Sequence, residues 1–109
     1  MMGINEVLLS GRLTKAPEFY TATEEKKACA RYTLAVDRAK DGADFISCVV
    51  FGHNAEFAKD YLKQGTKVVV HGKLQTGNYD KDGHKVYTMD VVVDQHDLMS
   101  APNKEKQDA

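Results

Sequence analysis

The segment DFISCVVFG, Asp44–Gly52, decides the fold prediction because its β-branched and aromatic residues are typical of a strand. Alternate side chains of a strand share a face. Ile46, Cys48 and Val50 therefore form one apolar row. The opposite row is also largely apolar but includes a serine: Phe45, Ser47, Val49 and Phe51. Which of these rows faces the core decides which side chains of this strand are exposed on the surface.

Four further strand-like segments are predicted from alternating apolar residues: Glu6–Leu13, Lys27–Val36, Lys67–Thr76 and Lys85–Asp94. After Gly52 the apolar spacing becomes helical, with Asn54 as the expected N-terminal cap and Gly65 as the stop signal. Gly11 predicts a bulge or bend in the first strand. Asp80–Gly83 predicts a hairpin tip.

The strand count favours one fold. Five short strands with one helix between the third and the fourth match the OB-fold, a small Greek-key barrel. A β-sandwich would need about seven strands, and a parallel βαβ sheet would need more than one helix. We therefore predict an all-β fold with one short helix, a five-stranded OB-fold barrel spanning residues 1–99. Residues 15–27 are expected to form a loop with an irregular extended piece around Phe19 and Tyr20, and residues 100–109 a flexible tail.

Composition excludes several classes of protein. Of the 109 residues, 42% are apolar and 28% are charged, which is an ordinary globular balance. No apolar run approaches the length of a membrane span, and the N-terminus does not resemble a signal peptide, so we expect a cytoplasmic protein without a membrane segment. In that compartment Cys29 and Cys48 are expected to be buried thiols.

No catalytic or metal site is predicted. The histidines are His53, His71, His84 and His96, and none forms a short-spaced ligand pair with a cysteine. Nucleophile-elbow, phosphate-loop and zinc-protease motifs are missing from the sequence. We therefore expect a protein that is not an enzyme and that needs no cofactor or metal.

The aromatic row is expected outside the barrel. A small barrel has one interior, and the row of Ile46, Cys48 and Val50 already fills it. Phe45 and Phe51 must then face outward, and Tyr79 follows where the fourth strand leaves the barrel. Exposed phenylalanines in a row indicate either a base-stacking surface or a subunit interface, and the residues alone favour neither.

Basic residues accompany these rings: Arg31, Arg38, Lys40, Lys67 and Lys73. Each one alone is typical of a solvated surface charge. Together with flat rings they match the combination used by single-strand nucleic-acid binders, in which cations contact phosphates and rings stack on bases. Because the net charge is −1, such binding would depend on the local arrangement of charges.

Several linked motifs resemble the bacterial single-stranded DNA-binding protein family. They are INEVLLSGRLTKAPE, ARYTLAV, DFISCVVFGHNAEFAKDYLKQGTKVVVHGKLQTGNY and YTMDVVV, in order from Ile4 to Asp94. The resemblance implies an OB-fold that binds single-stranded DNA without sequence preference in DNA replication, recombination and repair. It also implies a cytoplasmic, nucleoid-associated homotetramer, with a dimer as the alternative. An edge strand around Ile4–Leu9 would pair two copies.

The resemblance also assigns roles to single positions. Bases are expected to stack on Phe45, Phe51 and Tyr79, and a further stacking position of the family falls on Lys40. This chain has no tryptophan. At positions where the family often has lysine or arginine it carries other residues, of which Ser47 and His53 are retained as candidate DNA contacts: Glu6, Ser47, His53, Gln75, Gly77 and Asn78.

The family's C-terminus usually ends in an acidic tip that recruits replication enzymes, whereas this sequence ends NKEKQDA. Recruitment through the tail is therefore not expected. Two other classes remain open. One is a primosomal replication-restart OB protein, which would be a dimer. The other is an OB module whose aromatic face binds a protein or a glycan.

Overall fold

The structure is a computed structural model that describes residues 3–99. The strands are β1 (Val7–Leu13), β2 (Glu18–Tyr20), β3 (Cys29–Asp37), β4 (Ala43–Phe51), β5 (Lys67–Lys81) and β6 (His84–Leu98). One helix, α1 (His53–Tyr61), lies between β4 and β5. No helix in this part of the chain is both long enough and apolar enough to cross a membrane. The predicted tail at residues 100–109 lies outside the described residues.

Five strands form a closed ring in the order β1, β5, β6, β4 and β3, and pairing between β1 and β3 completes it. This arrangement confirms the predicted five-stranded OB-fold barrel with a helix between the third and fourth predicted strands. The short strand β2 is an addition, since it pairs with β3 outside the ring. The sequence predicted only an irregular extended piece there, because the β2–β3 pairing is not visible in local patterns.

β1 pairs with two strands. It pairs with β5 through Arg12 and then with β3 at Arg12 and Leu13. A Cβ atom at Gly11 would overlap the carbonyl oxygen of Ala35, so a side chain at this position would hold β1 and β3 apart. The β1–β5 register is regular through Gly11, so no bulge is present there, and the predicted bend stays a prediction.

The core lies inside the ring, and the inward row of β4 contributes to it. Cys48 and Val50 are completely buried, and Ile46 packs against the core at its margin. Ala55, Ala58 and Leu62 from the helical segment also join this core: the helix covers one end of the barrel. The core residues contributed by the other strands are Leu13, Ala30, Tyr32, Leu34, Val68, Val70, Val91 and Val93.

The N-terminus of α1 differs from the prediction. Its capping residue is Gly52, with φ 63° and no side-chain cap, and not Asn54. The Asn54 side-chain amide instead donates a hydrogen bond to the carbonyl oxygen of Asp94, at 3.1 Å. Asp94 is the residue that the β5–β6 register skips, so its carbonyl group is available to an outside donor. Asn54 therefore ties the helix to an irregularity in β6.

The β5–β6 hairpin is longer than predicted. Pairing continues to Lys81 and His84, and the turn consists of Asp82 and Gly83, both with positive φ. Two such residues are typical of the tight turns whose twist matches paired strands. β6 also continues past the predicted end at Asp94, as far as Leu98. The hairpin therefore extends beyond the barrel, with exposed side chains on both faces.

Both cysteines are free thiols. Cys48 is buried in the core as predicted, and this burial raises the pKa of its thiol to about 12. The prediction was wrong for Cys29, which is only half-buried. Cys29 lies opposite Phe51 in the β3–β4 register, so its side chain belongs to the outer face of the sheet.

Candidate nucleic-acid interface

The outer row of β4 carries two exposed aromatic rings, as the alternation predicts. Phe45 is 70% exposed and Phe51 is 46% exposed. Val49, between them in this row, is only 4% exposed. The outer face is thus concave around Val49, with a ring at each end of the β4 row.

The β3–β4 register extends this face onto β3. The outward side chains of β3 lie opposite the β4 row in the pairs Cys29–Phe51, Arg31–Val49, Thr33–Ser47 and Ala35–Phe45. Directly paired residues of neighbouring strands point to the same side of the sheet. The guanidinium of Arg31 is therefore presented on the face that carries both phenylalanines.

The face also continues onto the β5–β6 hairpin. Val92 lies beside Val49 in the parallel β4–β6 pairing, and Lys73 lies opposite Val92. Alternation from Lys73 along β5 then places Gln75, Gly77 and Tyr79 on the same side. Tyr79 is 52% exposed, and Lys73 is exposed as well. All three predicted stacking rings thus share one face with Lys73 and Arg31.

Arg31 occupies the centre of this face. Its Nη1 atom lies 3.5 Å from Oδ1 of Asp90 on β6, so part of its charge is balanced within the protein. It lines three neighbouring grooves, of which the first runs between β4 and the hairpin. The residues around that groove are Arg31, Val49, Phe51, Gln75, Thr76, Gly77, Thr88, Asp90 and Val92.

The second groove runs beside Phe45. It is lined by Thr14, Lys15, Ala16, Glu18, Arg31, Tyr32, Thr33, Phe45 and Ser47. The structure therefore brings three predicted site residues, Arg31, Phe45 and Ser47, together with Lys15, which the sequence analysis did not single out. A ring, a hydroxyl group and a flexible cation in one groove can contact a base, a sugar and a phosphate.

The third groove was missed by the sequence analysis. It lies on the other side of Phe51 and is lined by Tyr20, Thr21, Thr23, Lys26, Lys27, Cys29, Arg31 and Phe51. Tyr20 enters this set because β2 pairs with the next strand, β3, across the loop that joins them. The predicted extended piece around Phe19 and Tyr20 was the only sequence signal, and two adjacent aromatic residues are too few to assign a face.

The β3–β4 turn holds Arg38 and Lys40. Arg38 donates two hydrogen bonds to Oδ1 of Asp44, at 3.1 Å from Nε and 2.8 Å from Nη2. The hydrogen bond and charge of Asp44 raise the pKa of Arg38. Lys40 is exposed, and within residues 3–99 every ion pair is made by an arginine. Lys40 is consequently the freer of these two cations.

Two other predicted site residues lie apart from the rings. Lys67, at the start of β5, pairs with Arg12 and lines a separate depression with Asp37. His53 is the exposed first residue of α1 and lines none of the three grooves. The structure therefore does not bring these two residues together with Phe45 and Phe51.

The sequence matches a known family over almost all of the described part of the chain. Residues 4–99 match the Single-strand binding protein family. A Single-stranded DNA-binding protein from Clostridium perfringens is 46% identical over 103 residues, covering 92% of this chain and 69% of the relative. A protein of the same name from Fusobacterium nucleatum is 39% identical over 99 residues, covering 84% of this chain and 64% of the relative.

A third relative gives the same picture. Single-stranded DNA-binding protein 1 from Staphylococcus aureus is 38% identical over 110 aligned positions, covering 94% of this chain and 65% of the relative. The chain thus spans about two thirds of the length of these proteins. The matched residues contain the whole barrel, the helix and the face that carries the rings. The chain belongs to the single-strand binding protein family.

Proposed function

We propose that this chain binds single-stranded DNA without sequence preference and protects it during DNA replication, recombination or repair. The names of its relatives support the choice of ligand. One structural observation carries the proposal: Phe45, Phe51 and Tyr79 are exposed on a single face that also presents Arg31 and Lys73. The proposed location is the cytoplasm, in association with the nucleoid.

Stacking supplies most of the affinity in this proposal. Loss of one base–aromatic stack costs about 1–3 kcal/mol. Three rings would therefore contribute roughly 3–9 kcal/mol per subunit before the cost of ordering a flexible strand is subtracted. Since every base has a π-face, stacking on rings does not distinguish one base from another.

The electrostatic contribution is smaller than the number of cations suggests. Arg31 is paired with Asp90 and Arg38 with Asp44, so two of the predicted cations are partly neutralised inside the protein. Single-strand binding weakens with salt at a slope of roughly −0.7 per neutralised phosphate. We therefore expect a shallow salt dependence, to which Lys40 and Lys73 contribute because they make no ion pair within residues 3–99.

A gel-shift titration with an oligo-dT strand tests the proposal. Phe45→Ala and Phe51→Ala should each weaken binding by about fivefold to 150-fold. Tyr61→Ala is the matched control, because Tyr61 is a 63% exposed ring on α1 that lines none of the three grooves. No binding by the parent protein, or equal losses in all three variants, would refute the proposed function.

We further propose that copies of the chain assemble into a homotetramer. Residues 7–9 of β1 pair with β5 on one side, and no strand within residues 3–99 pairs with their other side. Ile4 and Leu8 near this edge are 94% and 66% exposed. An unpaired edge with apolar side chains favours antiparallel pairing of two copies.

A second apolar surface supports the joining of two dimers. Leu74, Tyr87 and Met89 are 43%, 76% and 62% exposed, and the β5–β6 register places them together on the side opposite Tyr79. Light scattering should give four times the 12.1 kDa of one chain. A monomer at micromolar concentration would refute the assembly, and a dimer would limit it to the β1 contact.

A further inference from the structure

We infer that the bound strand does not end at Phe51 but continues across β3 onto β2, where Tyr20 stacks on a further base and Lys26 and Lys27 contact its phosphates. This inference rests on the proposed function, because it extends the path of the same ligand. Its occupant is single-stranded DNA, and its site is the third groove described above.

The strand registers place the two rings in one row. Tyr20 lies opposite Cys29, and Cys29 lies opposite Phe51. All three side chains therefore point to the outer face. Neighbouring strands are about 4.8 Å apart, so two strand spacings, or about 10 Å, separate the backbones that carry the two rings.

The residue in the middle of this row is less exposed than the two rings beside it. Cys29 has a small side chain and is half-buried, whereas Tyr20 is 52% exposed and Phe51 is 46% exposed. Two raised rings with a small residue between them form the walls of the groove. The groove is continuous with the central face, because Phe51 and Arg31 line both.

The β2–β3 loop directs its lysines toward the groove. The Thr23 backbone N–H donates to the carbonyl oxygen of Lys26 at 2.9 Å, and the Thr23 hydroxyl accepts from the backbone N–H groups of Glu25 and Lys26. In this turn Lys26 and Lys27 line the groove, whereas Glu24 and Glu25 do not. The turn therefore separates the cations from the carboxylates that precede them in the sequence.

The charge of this groove suits a polyanion. Its lining includes Lys26, Lys27 and Arg31 and no carboxylate side chain. The nearest acidic residue on β2 is Glu18, which accepts a hydrogen bond from the Tyr20 hydroxyl at 3.1 Å and lies opposite Arg31 in the register. Glu18 makes no ion pair with Lys26 or Lys27 within residues 3–99, so both lysines remain available to phosphates.

Two sets of variants of the full chain test this path with oligo-dT. Tyr20→Ala should weaken binding by about fivefold or more, while Tyr20→Phe, which keeps the ring, should bind as the parent does. Replacing both Lys26 and Lys27 by glutamine should reduce the magnitude of the salt slope by about 1.4. Lys63→Gln is the matched control, since Lys63 is an exposed lysine after α1 that does not line the groove.

Cys29 provides an independent reporter. The chain has two cysteines, and Cys48 is completely buried, so a thiol reagent reacts mainly with Cys29 in the folded protein. Saturating oligo-dT should slow modification of Cys29 in the parent. In Tyr20→Ala, at the same fraction of protein bound, the protection should be weaker because the strand is no longer held over the groove.

The outcomes separate this inference from the proposed function. If Phe51→Ala weakens binding while Tyr20→Ala and the double lysine variant bind as the parent does, the path ends at Phe51 and the inference is overturned. Protection of Cys29 that is unchanged in Tyr20→Ala overturns it as well. If the parent itself does not bind oligo-dT, the proposed function fails and this inference fails with it.

Discussion

Nε2 of His96 lies 2.9 Å from the hydroxyl oxygen of Tyr32, and the Phe57 ring of α1 stacks on the imidazole with centroids 5.3 Å apart. The other ring nitrogen, Nδ1, is buried without a hydrogen-bond partner among the described residues. Burial lowers the pKa of His96 to about 4, although the nearby charge of Asp97 acts in the opposite direction. The imidazole that joins β3, β6 and the helix is therefore neutral at neutral pH.

This contact predicts a loss of stability in mild acid. In the unfolded chain His96 takes up a proton near its ordinary pKa of about 6.5, whereas the folded chain resists protonation until about pH 4. The stability is fully present above pH 6.5 and falls as the pH drops from 6.5 to 4. The slope for one group is at most about 1.4 kcal/mol per pH unit.

Urea unfolding at several pH values, from about 4.5 to about 7.5, measures this slope. His96→Phe should flatten it, because the replacement cannot titrate. His84→Gln, at the exposed tip of the hairpin, is the matched control and should leave it unchanged. A slope that survives in His96→Phe would assign the acid sensitivity to other groups.

His96 and Tyr20 also show where sequence reasoning stops. The outer row of Phe45 and Phe51 could be predicted because alternation within one strand assigns faces without knowledge of the partner strands. Tyr20 could not, since its face depends on pairing between β2 and β3. His96 lies beyond Asp94, where the register shift reverses which residues of β6 face inward, so simple alternation assigns the wrong side.

Charges posed a different difficulty. From the sequence alone Arg31 and Arg38 were treated as unpaired cations, because nothing in the local pattern reveals their carboxylate partners. Asp90, the partner of Arg31, is distant in sequence and is brought close by the β-sheet. Asp44, the partner of Arg38, lies on the other side of a short turn, but the hydrogen bonds depend on the geometry of that turn. The number of cations available for phosphate contacts is therefore smaller than the sequence suggests.

Releasing Arg31 from its partner should strengthen DNA binding. Asp90→Asn removes a negative charge from the first groove, between β4 and the hairpin. It also removes the carboxylate that lies 3.5 Å from the Arg31 guanidinium. We expect tighter binding of oligo-dT and a salt slope steeper by about 0.7, equivalent to one additional phosphate contact. Asp60→Asn on α1 is the matched control. Weaker binding by Asp90→Asn would mean that the ion pair positions Arg31 for its contact.

The two cations of the β3–β4 turn should differ in their effects. Lys40→Ala should reduce the magnitude of the salt slope by about 0.7 and weaken the binding of all single-stranded DNA sequences equally. Arg38→Ala should reduce it less, because Asp44 already neutralises much of the guanidinium charge. Fluorescence anisotropy titrations at several salt concentrations measure both slopes. Equal reductions would show that Arg38 leaves Asp44 when DNA binds.

Gly72 should be intolerant of any side chain. A Cβ atom at this position would overlap the backbone carbonyl of Val92 on β6, and the backbone cannot move without opening the ring. Gly72→Ala should lower the free energy of unfolding by about 1–3 kcal/mol, in the range found for overpacked cores. Gly3→Ala is the control, because nothing lies within 4 Å of its Cβ position. Thermal or urea unfolding of both variants compares them, and equal stability would contradict the tight approach of β5 and β6.

Phe45→Trp should both strengthen binding and report it. Phe45 is 70% exposed and faces open space on the outer side of β4, so the larger indole can be accommodated without repacking of the core. The wider ring offers more area to a base, and we expect binding of oligo-dT to be tighter than in the parent. The chain has no tryptophan of its own, so emission at the indole wavelength comes from position 45 alone. Stacking of a base should quench it in proportion to the fraction bound. Quenching by oligo-dT with no change in the Tyr61→Trp variant would place the strand on the outer face of β4, whereas an emission unchanged at saturating DNA would exclude Phe45 from the path.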